Sequence, residues 1–369
     1  MTPDDPPNPT SLRRGWTTGA CAAAGARAAC EALLTGHFPA SVEIPLPGGQ
    51  RPSFALASEK LGTGFAEAGI VKDAGDDPDV THGALVVTRV ARAKPGEGLV
   101  FRAGEGVGTV TRPGLPLAVG EPAINPGPRG MIKAALAEVL GAPADLTVTI
   151  SIPGGEKIAK HTLNARLGII GGLSILGTTG IVIPFSCAAW IDTIHRGVDV
   201  ARAMGLPHIA AATGTTSEKA VQALYGLPEP ALIEMGDFAG GLLKYLRKHP
   251  VEQVTIAGGF AKMVKLGQGL LDLHSGRGTV DLAWLAARAT EAGASPALAR
   301  KIAAANTAAD ALHQAKAENI DVAARVAEAA WATAAKALKG SPVKLDIAIF
   351  DREGILLART PARDVGAAS

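Results

Sequence analysis

Two kinds of segment in this sequence carry residue types that could do chemistry. The first is Asp272-Leu273-His274-Ser275-Gly276-Arg277-Gly278, dense in polar side chains for so apolar a chain. Asp272 and His274 could form an acid–base pair, because a carboxylate orients an imidazole and strengthens its hold on a proton. A loop histidine that only meets solvent is the plain alternative. The second kind is a set of turns at the ends of short apolar runs: Thr213-Gly214-Thr215-Thr216, Glu234-Met235-Gly236-Asp237 and Gly258-Gly259. Glycine lets a backbone come close to a ligand, and Glu234 or Asp237 could accept bonds from a ribose diol. Gly214, Thr215, Thr216, Glu234, Asp237, Gly258 and Gly259 are therefore candidates for a nucleotide-type or S-adenosylmethionine-type ligand. No G-x-G-x-x-G accompanies them, and plain turns with glycine caps would look the same.

Three further stretches bear on binding. Arg13-Arg14-Gly15-Trp16-Thr17-Thr18-Gly19-Ala20-Cys21 leads into an Ala-rich helix with Thr17 or Thr18 as N-cap. A helix N-terminus flanked by arginines suits an anion, although an ordinary capped helix reads the same way. Lys72 to Thr81 holds Asp73, Asp76, Asp77 and Asp79 without the alternate spacing of a calcium loop, so a structured loop is expected before a metal site. Leu167 to Ile191 has no charged side chain. Its glycines and Pro184 argue against a membrane helix and leave two readings, a backbone cradle beside a ligand or a buried strand–turn–strand.

The elements that must position these residues differ between the halves of the chain. In the first half, strands are expected over Ser41–Pro47, Pro52–Ala57, Phe65–Val71, Ala84–Ala93 and Leu146–Ile152, with a hairpin over Leu99–Val110. A helix is expected from Met131 to Leu140, held off until then by the prolines of Glu121–Arg129. In the second half, strand and helix alternate from His208 to Leu270. That order implies a parallel sheet with ligands at the carboxyl ends of its strands. Helices follow over Val280–Ala292, Pro296–Ala317 and Val322–Leu338, then a closing hairpin of Val343–Phe350 and Ile355–Arg359. The expected fold is an α+β N-terminal domain (13–186), followed by a parallel-sheet, Rossmann-like α/β domain (187–369) with added helices and a terminal β-hairpin. Residues 1–12 are expected to be a disordered tail.

Composition sets the outer bounds. The chain has 369 residues, 47% hydrophobic and 19% charged, enough for large cores and far from global disorder. A net charge of +2 gives no reason to expect nucleic acid. Cys21, Cys30 and Cys187 have no metal-ligand spacing, and their odd number fits a reducing, cytoplasmic compartment. No membrane anchor or secretion signal is apparent, and a homo-oligomer stays open.

Five segments together resemble one family. They are RRGWTTGACAAAGARAA from Arg13, VKDAGDDPDVTHG from Val71, EPAINPGPRGMI from Glu121, IPGGEKIAKHTLNARLGIIGGLSILGTTGIVIP from Ile152, and AGGFAKMVKLGQGLLDLHSGRGTVD from Ala257. They resemble, in order and over nearly the whole chain, the CbiD family of cobalt-precorrin-5B C(1)-methyltransferases. Gly127-Pro128-Arg129-Gly130 departs from the bulkier or more basic segment expected there. The resemblance implies methyl transfer from S-adenosylmethionine to C1 of a cobalt corrinoid, giving cobalt-precorrin-6A in cobalamin biosynthesis, with the cobalt brought by the substrate and no protein-bound metal. It also implies gathered cations for the substrate's carboxylates. On that basis Arg14, Thr17, Thr18, Lys72, Asp73, Gly177, Thr178, Thr179, Gly180, Lys262 and Arg277 are expected at the macrocycle, with His274 and Asp272 as the catalytic pair. The competing readings are a nucleotide-dependent oxidoreductase using the same crevice, and a non-catalytic corrinoid carrier.

Overall fold

The computed structural model describes residues 12–367, so the expected tail lies outside the described residues except for Leu12. The chain forms two compact units, Met1–Cys187 and Ala188–Ser369.

Unit 1 is built around one helix. It runs β1 (Gly15–Trp16), α1 (Thr18–Thr35), β2 (Ser41–Glu43), β3 (Ser53–Ala55), β4 (Ser58–Gly62), β5 (Phe65–Val71), β6 (Leu85–Arg92), β7 (Leu99–Ala103), β8 (Thr109–Val110), α2 (Pro126–Leu140), β9 (Leu146–Ser151), α3 (Gly155–Ala159), β10 (Ile169–Ile170) and β11 (Ile181–Val182). Small side chains let neighbours approach α1 from more than one side. Ala20, Cys21, Ala22, Ala23, Ala24, Ala26, Ala28 and Ala29 are fully buried in it. A Cβ on Gly25 would lie 3.0 Å from Ala68 of β5 and Thr88 of β6, and one on Gly19 would lie 2.7 Å from Pro128 of α2. The sheet order is β4-β5-β6-β9-β7, antiparallel except for β7 beside β9. Burial pushes the Cys21 thiol up to about 12 and the Cys30 thiol up to about 11, so neither is a ready thiolate.

The differences from expectation in this unit have local causes. The Leu99–Val110 hairpin does not form: β7 joins the large sheet, and β8 pairs with β10. Helix α2 starts at Pro126 rather than Met131, because Pro126 and Pro128 fall in the first turn, where a missing N–H costs nothing. At the other end of α2, Glu138 binds Arg51 at 2.8 Å and Arg27 at 2.5 Å. The Arg51 and Arg27 guanidiniums hold its carboxyl well below the usual range, at about 2. A carboxyl whose folded pKa is depressed stabilises fully above its unfolded value, near 4.5, and loses that contribution as pH falls through about 2. Glu138→Gln should thus lower the melting temperature slightly at pH 7, with the difference from the unsubstituted chain vanishing by pH 2. A difference that stays constant across that range would contradict the ion-pair reading.

Unit 2 is the alternating half. Its elements are α4 (Cys187–Ala203, from the last residue of unit 1), β12 (His208–Ala212), α5 (Thr215–Tyr225), β13 (Leu232–Glu234), α6 (Ala239–Lys248), β14 (Gln253–Gly259), α7 (Phe260–Gly267), α8 (Leu282–Glu291), α9 (Pro296–Ala303), α10 (Ala308–Ala317), α11 (Val322–Ala337), β15 (Lys344–Phe350), β16 (Leu356–Arg359) and β17 (Arg363–Asp364). The sheet order is β13-β12-β14-β15-β16, parallel through β15 and closed by the antiparallel β16, with β17 also on β15. Alternation along the strands sorts the two faces. Ile209, Ala211, Val254, Ile256, Ile347 and Ile349 pack with α4, α6, α7, α8 and α11, whereas Ala210, Ala212, Ala257 and Ala348 pack under α5. The expected single helix over Pro296–Ala317 is two, because Thr307 turns its hydroxyl to the amide of Asp310 and caps a new start. Among the described residues, no helix is long and apolar enough to cross a membrane.

Candidate active site

A cavity of about 690 Å³ in unit 2 opens at the carboxyl ends of β12, β14 and β15. Its floor is Thr213–Ser217, Gly259–Lys262 and Phe350–Glu353, and α10 supplies one wall through Leu312, His313 and Lys316. The topology produces the opening. The chain leaves β12 for α5 on one face of the sheet and leaves β14 for α7 on the other. Adjacent strand-end loops that part in this way leave a crevice between them. Gly214 and Gly259 are among the cavity's lining residues, and an added Cβ at either would meet nothing within 4 Å. Of the expected donor residues, Gly214, Thr215, Thr216 and Gly259 line this cavity, as does Lys262.

Three of the expected cofactor residues are not among its lining residues. Glu234 ends β13, the edge strand, on the far side of β12 from β14 and β15. Asp237 is an ion-pair partner of Lys262, so its carboxylate is already matched to a cation. Gly258 serves packing, since a Cβ there would come within 2.6 Å of the Met263 methyl and 2.8 Å of the Thr213 hydroxyl. The carboxylates that do line the cavity are Asp351 and Glu353 of the β15–β16 turn. Asp351 holds that turn by accepting from the amides of Glu353 at 3.1 Å and Ile355 at 2.7 Å.

The Asp272–His274 pair is built differently from expectation. Asp272 accepts from the backbone amide of His274 at 3.1 Å and lies 3.8 Å from the exposed Arg277 guanidinium; it does not bond the imidazole. The imidazole Nδ1 accepts from the Gly276 amide at 3.1 Å. A neutral ring that accepts at Nδ1 carries its proton at Nε2 and so presents a donor outward. Beneath the loop, Lys262 and Lys265 both donate to the carbonyl of Leu273, at 3.2 and 3.1 Å. Lys265 is 7% exposed, and burial followed by the nearby Lys262 charge lowers its pKa.

In unit 1 the two glycine- and threonine-rich motifs meet, but they satisfy each other rather than frame an opening. Thr18 accepts from the Leu176 amide at 3.0 Å, Gly19 donates to the Leu176 carbonyl at 3.0 Å, and Thr17 donates through its amide to Gly180 at 3.0 Å. The Thr17 hydroxyl accepts from the Ala20 amide, so the amides of both Gly19 and Ala20 in the first turn of α1 are already used. Gly177, at φ 112°, has its α-carbon so close to the Thr17 side chain that any Cβ would overlap it. The close backbone approach foreseen for a ligand is thus made to α1 itself. Thr179 bonds Ile181, and Thr178 is exposed.

The acidic loop of unit 1 is a structured loop. Asp73 pairs with Arg13 and accepts from the Gly75 amide, Asp76 accepts from the Arg13 amide at 2.6 Å, and Asp77 accepts from the Phe185 amide at 2.8 Å. Lys72, expected at the substrate, is only 1% exposed and donates to Asp79 at 2.6 Å, so in this structure it is a buried cation already matched to a carboxylate. Burial pushes the Asp79 carboxyl up, but the bonds from Lys72 and Thr81 outweigh that and leave it below the ordinary value. Arg14 is exposed and, of the substrate residues expected in unit 1, is the cation left available.

His313, Lys316 and Arg352 line the cavity and were not foreseen. The signal available was slight: His313 and Lys316 recur at i, i+3 in an Ala-rich helix, a spacing that puts two polar side chains on one face.

Comparison with known proteins adds the last observation. A family model described as CbiD matches residues 5–184, and one described as CbiD, C-terminal domain, matches 272–361, which include α10 and the β15–β16 turn. The chain is 63% identical to a Bradyrhizobium sp. BTAi1 protein over 99% of this chain and 98% of that one, and 63% identical to an Agrobacterium fabrum protein over 95% and 93%. A Brucella anthropi protein is 58% identical over 94% of this chain and 95% of its own length. All three are named cobalt-precorrin-5B C(1)-methyltransferase. A crystal structure titled cobalamin biosynthesis protein (cbiD) from Archaeoglobus fulgidus is 30% identical over 72% of this chain and 83% of that one, with a TM-score of 0.38. This chain belongs to the CbiD family.

Proposed function

We propose that this chain is a cobalt-precorrin-5B C(1)-methyltransferase whose methyl donor, S-adenosylmethionine, sits in the cavity of unit 2. The observation that carries this reading is the pair of open glycines, Gly214 and Gly259, at the ends of adjacent parallel strands. Its volume, about 690 Å³, falls in the range that encloses one ligand of this size. The amide groups that open α5 and α7, with Thr215 and Thr216, offer donors, and Glu353 offers an acceptor for a ribose diol in place of Glu234. Bound there, the donor supplies an electrophilic methyl group. The S–CH3 bonding pair stays on sulfur, C1 of the macrocycle gains the methyl carbon, and the charge passed to the macrocycle is neutralised by loss of a proton. The protein's contribution is alignment in a site that excludes water. The free cysteines fit a reducing compartment such as the cytoplasm.

His274 serves the substrate as a hydrogen-bond donor. Its Nε2–H suits a carboxylate or carbonyl of the macrocycle, with Arg277 beside it as a cation. His274→Asn should raise KM for the corrinoid several-fold and leave kcat within about twofold, where loss of a general base would cost about 10²–10⁴ in kcat. A kcat reduced in that range would restore the base role.

The activity itself is tested with donor labelled in its methyl group and cobalt-precorrin-5B. Label should appear at C1 of the product only when both are present. A chain that binds the macrocycle but never S-adenosylhomocysteine would instead be a carrier, and one that binds NAD in its place would be an oxidoreductase.

A further inference from the structure

We infer that Lys316 and Arg352 form a carboxylate-binding wall of the donor cavity, an inference that rests on placing the donor there. Helix α10 is held in one rotation because Ala308, Ala311 and Ala315 are buried at 4%, 0% and 0% exposure. That rotation points Lys316 at the cavity, one turn from His313. Arg352 reaches the same space from the β15–β16 turn. Several cations of unit 2 are matched: Lys262 with Asp237, Arg288 with Glu291, Lys301 with Glu318 and Arg363 with Glu328. Among the described residues, the Lys316 ammonium and the Arg352 guanidinium meet no carboxylate. The acid closest in sequence, Asp351, spends its Oδ1 on the turn's own amides.

Lys316 and Arg352 line one cavity outside any ion pair, beside the carboxylates of Asp351 and Glu353, and the ligands of this reaction offer carboxylates to them. One source is the α-carboxylate of the donor's amino-acid end. The other is an acetate or propionate arm of the macrocycle. Lys316 also lines an adjoining recess of about 290 Å³, so it stands where either could arrive.

The test uses the full-length chain with Lys316→Gln and Arg352→Gln, and Lys316→Arg as the conservative control. S-adenosylhomocysteine carries the carboxylate, and 5′-methylthioadenosine lacks it. If the wall holds the donor, each Gln variant should bind S-adenosylhomocysteine about tenfold more weakly and methylthioadenosine as before, with Lys316→Arg close to the unsubstituted chain. If it holds the macrocycle, S-adenosylhomocysteine binding stays unchanged, and KM for cobalt-precorrin-5B rises about tenfold with kcat retained. Both outcomes support the wall. No change in any of these quantities overturns it. Failure of the cavity assignment is separate: a chain whose cavity is filled at Gly259 and still binds S-adenosylhomocysteine normally rejects the donor site itself.

Discussion

Replacing Gly259 with valine should abolish most donor binding while the chain stays folded. Gly259 has φ −68° and ψ 152°, a conformation open to valine, and its Cβ would stand in free space. Valine is a poorer N-cap for α7 than glycine, a cost of about 1 kcal/mol or less. In the cavity the added side chain must overlap the ligand. Overpacking of about 1–3 kcal/mol corresponds to about 5–150-fold in affinity. The neighbouring Gly258→Val should do the reverse, because its Cβ meets Met263 and Thr213 at 2.6 and 2.8 Å; it should lower the melting temperature before binding is considered. Calorimetry with S-adenosylhomocysteine and thermal melts on both variants check the pair. Normal affinity in a folded Gly259→Val chain would count against the site.

The second large effect is on stability. Asp79→Ala leaves the ammonium of Lys72 buried at 1% exposure with no counter-ion. Breaking a buried pair from one side costs about 3–5 kcal/mol; because Asp79 is 26% exposed, the lower part of that range is expected. Lys72→Met should cost less, since the methionine keeps the packing and Asp79 retains its two bonds from Thr81, at 2.7 and 2.6 Å. The order of the two denaturation midpoints is the readout. If Lys72 bound substrate, as its place in the VKDAGDDPDV motif first suggested, Lys72→Met would raise KM for the corrinoid and leave the midpoint alone.

Much of the second half of the chain was legible in the sequence, because its elements are local. His208–Ala212 is short, apolar and bounded by turn residues, and the strand found there has those same limits. What alternation cannot supply is the order of strands in the sheet. Glu234 ends a strand as foreseen, but that strand lies at the edge of the sheet and Glu234 is not among the residues lining the cavity, whereas the β15–β16 turn, distant in sequence, lines it. In the first half, both Arg13–Cys21 and the glycine-rich run within Leu167–Ile191 stood out in the sequence, but that they would satisfy each other did not. Glycine that lets a ligand approach and glycine that lets a threonine approach look alike in one dimension. The burial of Lys72 was equally hidden, because whether a lysine is a solvated ligand-binder or a structural ion depends on contacts made after folding.

The placement of the methyl donor is tested most directly by a crystal structure of the full chain with S-adenosylhomocysteine. The ligand should lie in the cavity of unit 2, with its backbone-facing edge against Gly214 and Gly259 and its carboxylate toward Lys316 or the turn at Arg352. An ordered ligand bound elsewhere, such as against the Leu176–Gly180 segment of unit 1 with the cavity left empty, would contradict it.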